Sequence, residues 1–169
     1  MRRFLALAVC SLILWVVVSQ LNHSISATQI YLSVGALFVT FAALTQPFAV
    51  GLWGAVFAGL VLDANTPVAF GTHLILLATA DVLIFRLRER VPRNDTVSRV
   101  AIAVVANLVV FIAFSVLEFI RTPVSAAVWP RLLVDLVCSQ VFLAVIAPWY
   151  FALQSRALVL AGVDRELIS

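Results

Sequence analysis

The sequence predicts an all-α membrane protein, a single bundle of about six transmembrane helices, on three observations. The first is composition: 64% of the 169 residues are hydrophobic and 11% are charged, with a mean hydropathy of +1.14. A soluble domain is about half apolar and about a quarter charged, so lipid must be the solvent for most of this chain. The second is periodicity of a coarse kind. Apolar runs occupy 4–21, 25–44, 48–62, 70–85, 97–120 and 132–153, and about 20 residues of helix cross a bilayer. The third is the placement of charge. All 11 basic residues are arginine, and with the N-terminus in the cytoplasm, Arg2, Arg3, Arg86, Arg88, Arg90, Arg93, Arg99, Arg156 and Arg165 fall on one side. Only Arg121 and Arg131 fall on the other. That bias follows the positive-inside rule and puts both termini in the cytoplasm. The net charge of +3 is thus orientation and anchoring, and no nucleic-acid partner is expected.

The predicted helices cover about 4–21, 25–44, 47–63, 70–87, 98–120 and 131–153 of one integral membrane domain, 1–169, with no room for a soluble one. Asn22-His23-Ser24 reads as a short polar loop that makes the first two helices antiparallel neighbours. Pro47 suits the first turn of the third helix, where a missing N–H costs nothing. That third run is short, about 22 Å at 1.5 Å per residue. Either polar flanks such as Gln46 and Asp63 are drawn in, or the bilayer thins there, or the third and fourth runs are partly re-entrant; a buried Asp63 is the favoured outcome. Within it Gly51, Ala55, Ala58 and Gly59 form a small-residue face that reads as a packing seam, within the bundle first and against a partner helix as the alternative, since small side chains let helix backbones approach closely in lipid. Asp63-Ala64-Asn65-Thr66-Pro67 reads as the tight turn that follows.

The fourth helix carries Thr72, His73, Thr79 and Asp81 and runs out through Arg86-Leu87-Arg88-Glu89-Arg90. The basic loop to Arg99, with Pro92 and Asn94-Asp95, carries enough charge to dock on a protein or on anionic lipid. On the fifth helix Asn107, Phe111, Ser115 and Glu118 share a face. The sixth begins Arg131, Asp135, Ser139, a spacing that lets Arg131 and Asp135 pair. Pro148 is expected to kink its last turns, and Trp149 and Tyr150 to sit in an interfacial aromatic belt opposite that of Trp129.

Charges inside a span are costly and are functional candidates by default. Asp81 lies five residues before Arg86 and reads first as half of an ion pair at the cytoplasmic boundary, with a site facing the bundle as the alternative. Asp63 and His73 are placed to meet across the helix–turn–helix junction, where Asp63 reads as a cap for exposed backbone. A zinc site requires three or four ligands, and His23 is the only other histidine, so no metal or cofactor is expected. Cys10 and Cys138 read as buried small hydrophobes. No serine or cysteine nucleophile is set against a base, and no paired carboxylates carry the flanks of an intramembrane protease, so catalysis is not expected.

Residues 45–90 resemble the MreD family of bacterial rod-shape-determining membrane proteins. The resemblance is carried by Pro47, Gly59-Leu60, Asp63, Pro67, Gly71, His73 and Arg86-Leu87-Arg88, with Pro148-Trp149 and the overall length also in keeping. Phe70, Ala64-Asn65-Thr66 and Asp81 depart from the family pattern. The resemblance implies a non-catalytic inner-membrane component of the cell-shape complex. It would bind MreC and help couple the MreB cytoskeleton to peptidoglycan synthesis by RodA and the elongation penicillin-binding protein. It also implies a fold like that of the substrate-binding subunit of energy-coupling-factor vitamin transporters. Such a subunit is the alternative reading, with Trp129, Asn22, His23, Asn65 and Thr66 as candidate pocket residues. On either reading Gly51, Ala55, Ala58, Gly59, Asp63, Gly71, His73 and Asp81 are the candidate structural or partner-binding residues.

Overall fold

The computed structural model describes residues 2–90, 95–121 and 128–162. Pro92, Arg93, Asn94, Pro123 and Arg165 lie outside the described residues. Among the described residues are six α-helices, α1 (Arg2–Ser24), α2 (Leu37–Thr45), α3 (Phe48–Asn65), α4 (Thr72–Leu87), α5 (Thr96–Arg121) and α6 (Val128–Leu160), with 3-10 turns at Ser26–Thr28 and Arg88–Arg90. No strand occurs among the described residues. Among the described residues four of the six, α1, α3, α5 and α6, are long and apolar enough to cross a membrane, against an expectation of about six transmembrane helices; α2, with nine residues, and α4, with 16, are shorter.

The largest departure from that expectation is in the second helix. It begins at Leu37, not near residue 25, and residues 29–36 are non-helical. The nine residues of α2 are the hub of the bundle, packed against α3, α4, α5 and α6. Every residue from Leu37 to Leu44 is buried, as an all-round apolar helix should be. Its two threonines satisfy themselves: the Thr40 hydroxyl donates to Ala36 O and that of Thr45 to Phe41 O, each at 2.7 Å. Around this hub α1 lies against α3 and α6, α3 pairs with α4, and α5 pairs with α6.

Several boundaries shift for local reasons. Asn22, His23 and Ser24 form the last turn of α1 instead of a loop. Pro47 stands just before α3, and its carbonyl accepts from Val50 N and Gly51 N, opening the helix from outside. Asp63, Ala64 and Asn65 belong to the last turn of α3, so the turn to α4 is made by 66–71. Helix α6 continues past Pro148 to Leu160. Trp149 is exposed as a belt residue would be, but Tyr150 turns inward and its phenol accepts from Gln154 Nε2 at 3.3 Å.

The small-residue face of α3 is its buried face: Gly51, Ala55, Ala58, Gly59 and Asp63 are the buried residues of that helix. At Gly59 a Cβ would collide with Leu74 Cα and approach Leu74 N to 2.8 Å. At Gly51 a Cβ would stand 2.9 Å from Asp81 Oδ1. Both glycines therefore set the distance between α3 and α4. Gly54, with nothing near its Cβ, lies off the seam.

Candidate functional site

The α3–α4 junction is built around one carboxylate. Asp63 is buried at the last turn of α3. Its Oδ2 accepts from Gly71 N at 2.9 Å and Leu74 N at 3.1 Å, and its Oδ1 accepts from His73 N at 2.9 Å. The imidazole Nδ1 of His73 lies 2.9 Å from the same Oδ1. A carboxylate only accepts, so the ring proton sits on Nδ1 and Nε2 points away from Asp63. The first N–H groups of a helix lack intrahelical partners, and here the neighbouring helix supplies them. Gly71, the residue before α4, has φ +94°, which only glycine adopts freely. Behind the cap, Gly59 lets Leu74 close onto α3. Arg121 of α5 donates to the Thr72 hydroxyl at 2.9 Å and pairs with Glu118 at 3.5 Å, and Phe114 lies against the His73 ring at a centroid distance of 4.9 Å.

A second polar constellation holds the non-helical segment 29–36. Asn22 of α1 pairs with Leu32 as a strand would, its Nδ2 donating to Leu32 O at 3.0 Å and its Oδ1 accepting from Leu32 N at 2.8 Å. Tyr31 N donates to Asp135 Oδ1 at 3.0 Å and Ser33 N to Ser139 Oγ at 2.9 Å, both on α6. Asn107 of α5 donates to Ser33 O at 3.0 Å and accepts from Ala36 N at 3.4 Å. Asn107 lies 14 residues from the Arg121 end of α5, about 21 Å along its axis. Irregular backbone at such depth is tolerated only when protein satisfies it. Sequence reading placed Asp135 beside Arg131; instead it takes a backbone N–H, and the ion pairs found among the described residues do not include Arg131. The signal that could have found this set is a lone Asn or Ser inside an otherwise apolar helix, at Asn107 and Ser139.

Between these two constellations lies a cavity of about 340 Å³. Asn22, Asn65, Thr66 and His73 reach it, with Trp15 and Phe111 among its aromatic walls. His23 and Trp129 do not line it; Trp129 packs on Phe119 instead, centroids 5.7 Å apart.

Asp81 does not pair with Arg86. It is fully buried in α4 beneath Gly51, and neither of its oxygens has a hydrogen-bond partner among the described residues. Orientation, not proximity in sequence, decides this: five residues of helix turn the two side chains about 140° apart round the axis, and Arg86 is exposed. The candidate residues therefore divide into Gly59, Asp63, Gly71 and His73, which act together, and Gly51 with Asp81, further along the same seam. Ala55 and Ala58 pack between them in the core. No family model matches the chain, and no curated protein or solved structure is found similar to it.

Proposed function

We propose that this protein is a non-catalytic component of a bacterial cell-shape complex, of the MreD kind, which binds MreC in the inner membrane. The observation that carries the reading is the Asp63 junction. Gly59, Asp63, Gly71 and His73 are among the residues on which the resemblance rests, and they form a single capping device. Its carboxylate is occupied by donors of its own chain, which suits a structural role better than acid–base work. The seam of α3 is filled by α4, so the junction shapes the bundle for MreC instead of gripping it. MreB, RodA and the elongation penicillin-binding protein would be reached through the complex, with both termini and the basic loop in the cytoplasm.

The test is to purify the tagged protein from its native membrane in mild detergent and identify what accompanies it. MreC and the elongation machinery support the proposal; their absence, with the protein intact, overturns it. One observation favours the alternative of a substrate-binding subunit of an energy-coupling-factor type vitamin transporter: Asn22, Asn65 and Thr66 do line a common cavity. An ATPase-linked coupling subunit or a bound small molecule in the same preparation would decide for that reading.

A further inference from the structure

A second concavity lies at the other end of the molecule and on its outer surface. Helices α4 and α5 are tied together where Thr72 meets Arg121 and His73 meets Phe114. Toward the Leu87 end of α4 they enclose a groove of about 340 Å³. Its floor is Leu44 of the buried hub helix, and small side chains, Ala80, Ala101 and Ala106, leave it unfilled. Its rim, including Leu83 of α4 and Val105 of α5, is exposed, and α5 is long and apolar enough to span the bilayer. The groove therefore opens sideways into hydrocarbon.

Among the described residues the one charged side chain lining it is Arg88, at the end where α4 runs out. This arginine is positioned, not loose. Its Nη1 donates to Gln46 O at 3.0 Å, and its guanidinium lies 3.7 Å from the centre of the Phe85 ring. Arg86, Arg90 and Arg99 stand at the same end, against the carboxylates Glu89 and Asp95. An apolar slot open to lipid with a fixed guanidinium at its headgroup end matches one kind of occupant. We propose that the α4–α5 groove binds an anionic phospholipid, one acyl chain lying over Leu44 and the phosphate meeting Arg88. A guanidinium suits phosphate by both charge and planar donor geometry, and each basic residue near the surface adds to the attraction for anionic lipid. The inference does not depend on which complex the protein joins.

Native mass spectrometry of the purified full chain in neutral detergent tests it, titrating phosphatidylglycerol against phosphatidylcholine of identical chains. One phosphatidylglycerol should bind in preference to phosphatidylcholine. Arg88→Gln should remove about fivefold of that preference. Ala106→Phe, which fills the groove, should abolish the bound lipid of either kind. Val105→Trp, which obstructs the rim without entering the core, should do the same if Ala106→Phe fails to fold. Equal binding of the two lipids overturns the proposal, as does full retention of phosphatidylglycerol by the groove-filled variants. Loss of a co-purifying membrane helix from those variants, with lipid binding unchanged, would assign the groove to a protein partner and also overturn it.

Discussion

Asp63 holds His73 twice through one oxygen, accepting from the backbone N–H and from the ring Nδ1 at 2.9 Å each. The other oxygen takes Gly71 N and Leu74 N, so both oxygens face donors only. Asp63→Asn keeps the shape but turns an NH2 toward two of those donors. Hydrogen bonds to a charged group contribute about 1.5–3 kcal/mol each, so this variant should lose about 3 kcal/mol. His73→Ala, which removes the ring bond but keeps the backbone one, should lose less. Thermal unfolding in a fixed detergent ranks the two; an Asn variant that melts with the parent would show that the cap contributes little.

Gly51 and Asp81 are coupled by space. Gly51→Ala puts a methyl 2.9 Å from Asp81 Oδ1, and overpacking of this kind costs about 1–3 kcal/mol. In an Asp81→Ala background the same substitution should be close to neutral. Asp81→Ala alone should raise stability by about 1 kcal/mol, since a buried polar group without a partner costs more than it returns. A double-mutant cycle from denaturation in detergent reads the coupling, and additive effects would refute it.

Asn107 and Ser139 hold backbone that no helix satisfies. Asn107→Leu leaves Ser33 O and Ala36 N without their partner, and each abandoned buried group costs about 1–3 kcal/mol. Amide exchange should accelerate at Ala36 in this variant and at Ser33 in Ser139→Ala, while residues 48–65 stay protected. Uniform acceleration across the chain would mean that segment 29–36 does not open on its own.

Asp95 caps α5 from just before its first turn. Its carboxylate accepts from the Ser98 hydroxyl at 2.9 Å, Ser98 N at 3.1 Å and Val97 N at 3.2 Å. The Ser98 bonds, then that of Val97, hold its pKa below the ordinary carboxylate value. A depressed folded value means the cap's contribution is present above the ordinary range near 3.9. It is lost as pH falls through the folded value. Protection of the Val97 and Ser98 amides, taken relative to the intrinsic exchange rate at each pH, should therefore hold down to pH ~4 and fall below it; Asp95→Ala should lack that protection throughout, and a parent whose protection did not fall would contradict the cap.

What the sequence alone determined follows from local energetics. Hydropathy assigned the chain to lipid, and spacing along one helix showed the seam of Gly51, Ala55, Ala58 and Gly59. Asp63 and His73 could be paired because only a short turn separates them. The truncation of α2 was decided elsewhere. Hydropathy sums side-chain transfer energies and is blind to backbone conformation, so 25–44 reads as one helix although 29–36 is not helical. What lets that segment leave the helix is polar side chains far along the chain, Asn107, Asp135 and Ser139, which meet it only when α5 and α6 pack around the hub. The same holds for Asp81, whose neighbour in space is a glycine on another helix and not the arginine five residues on.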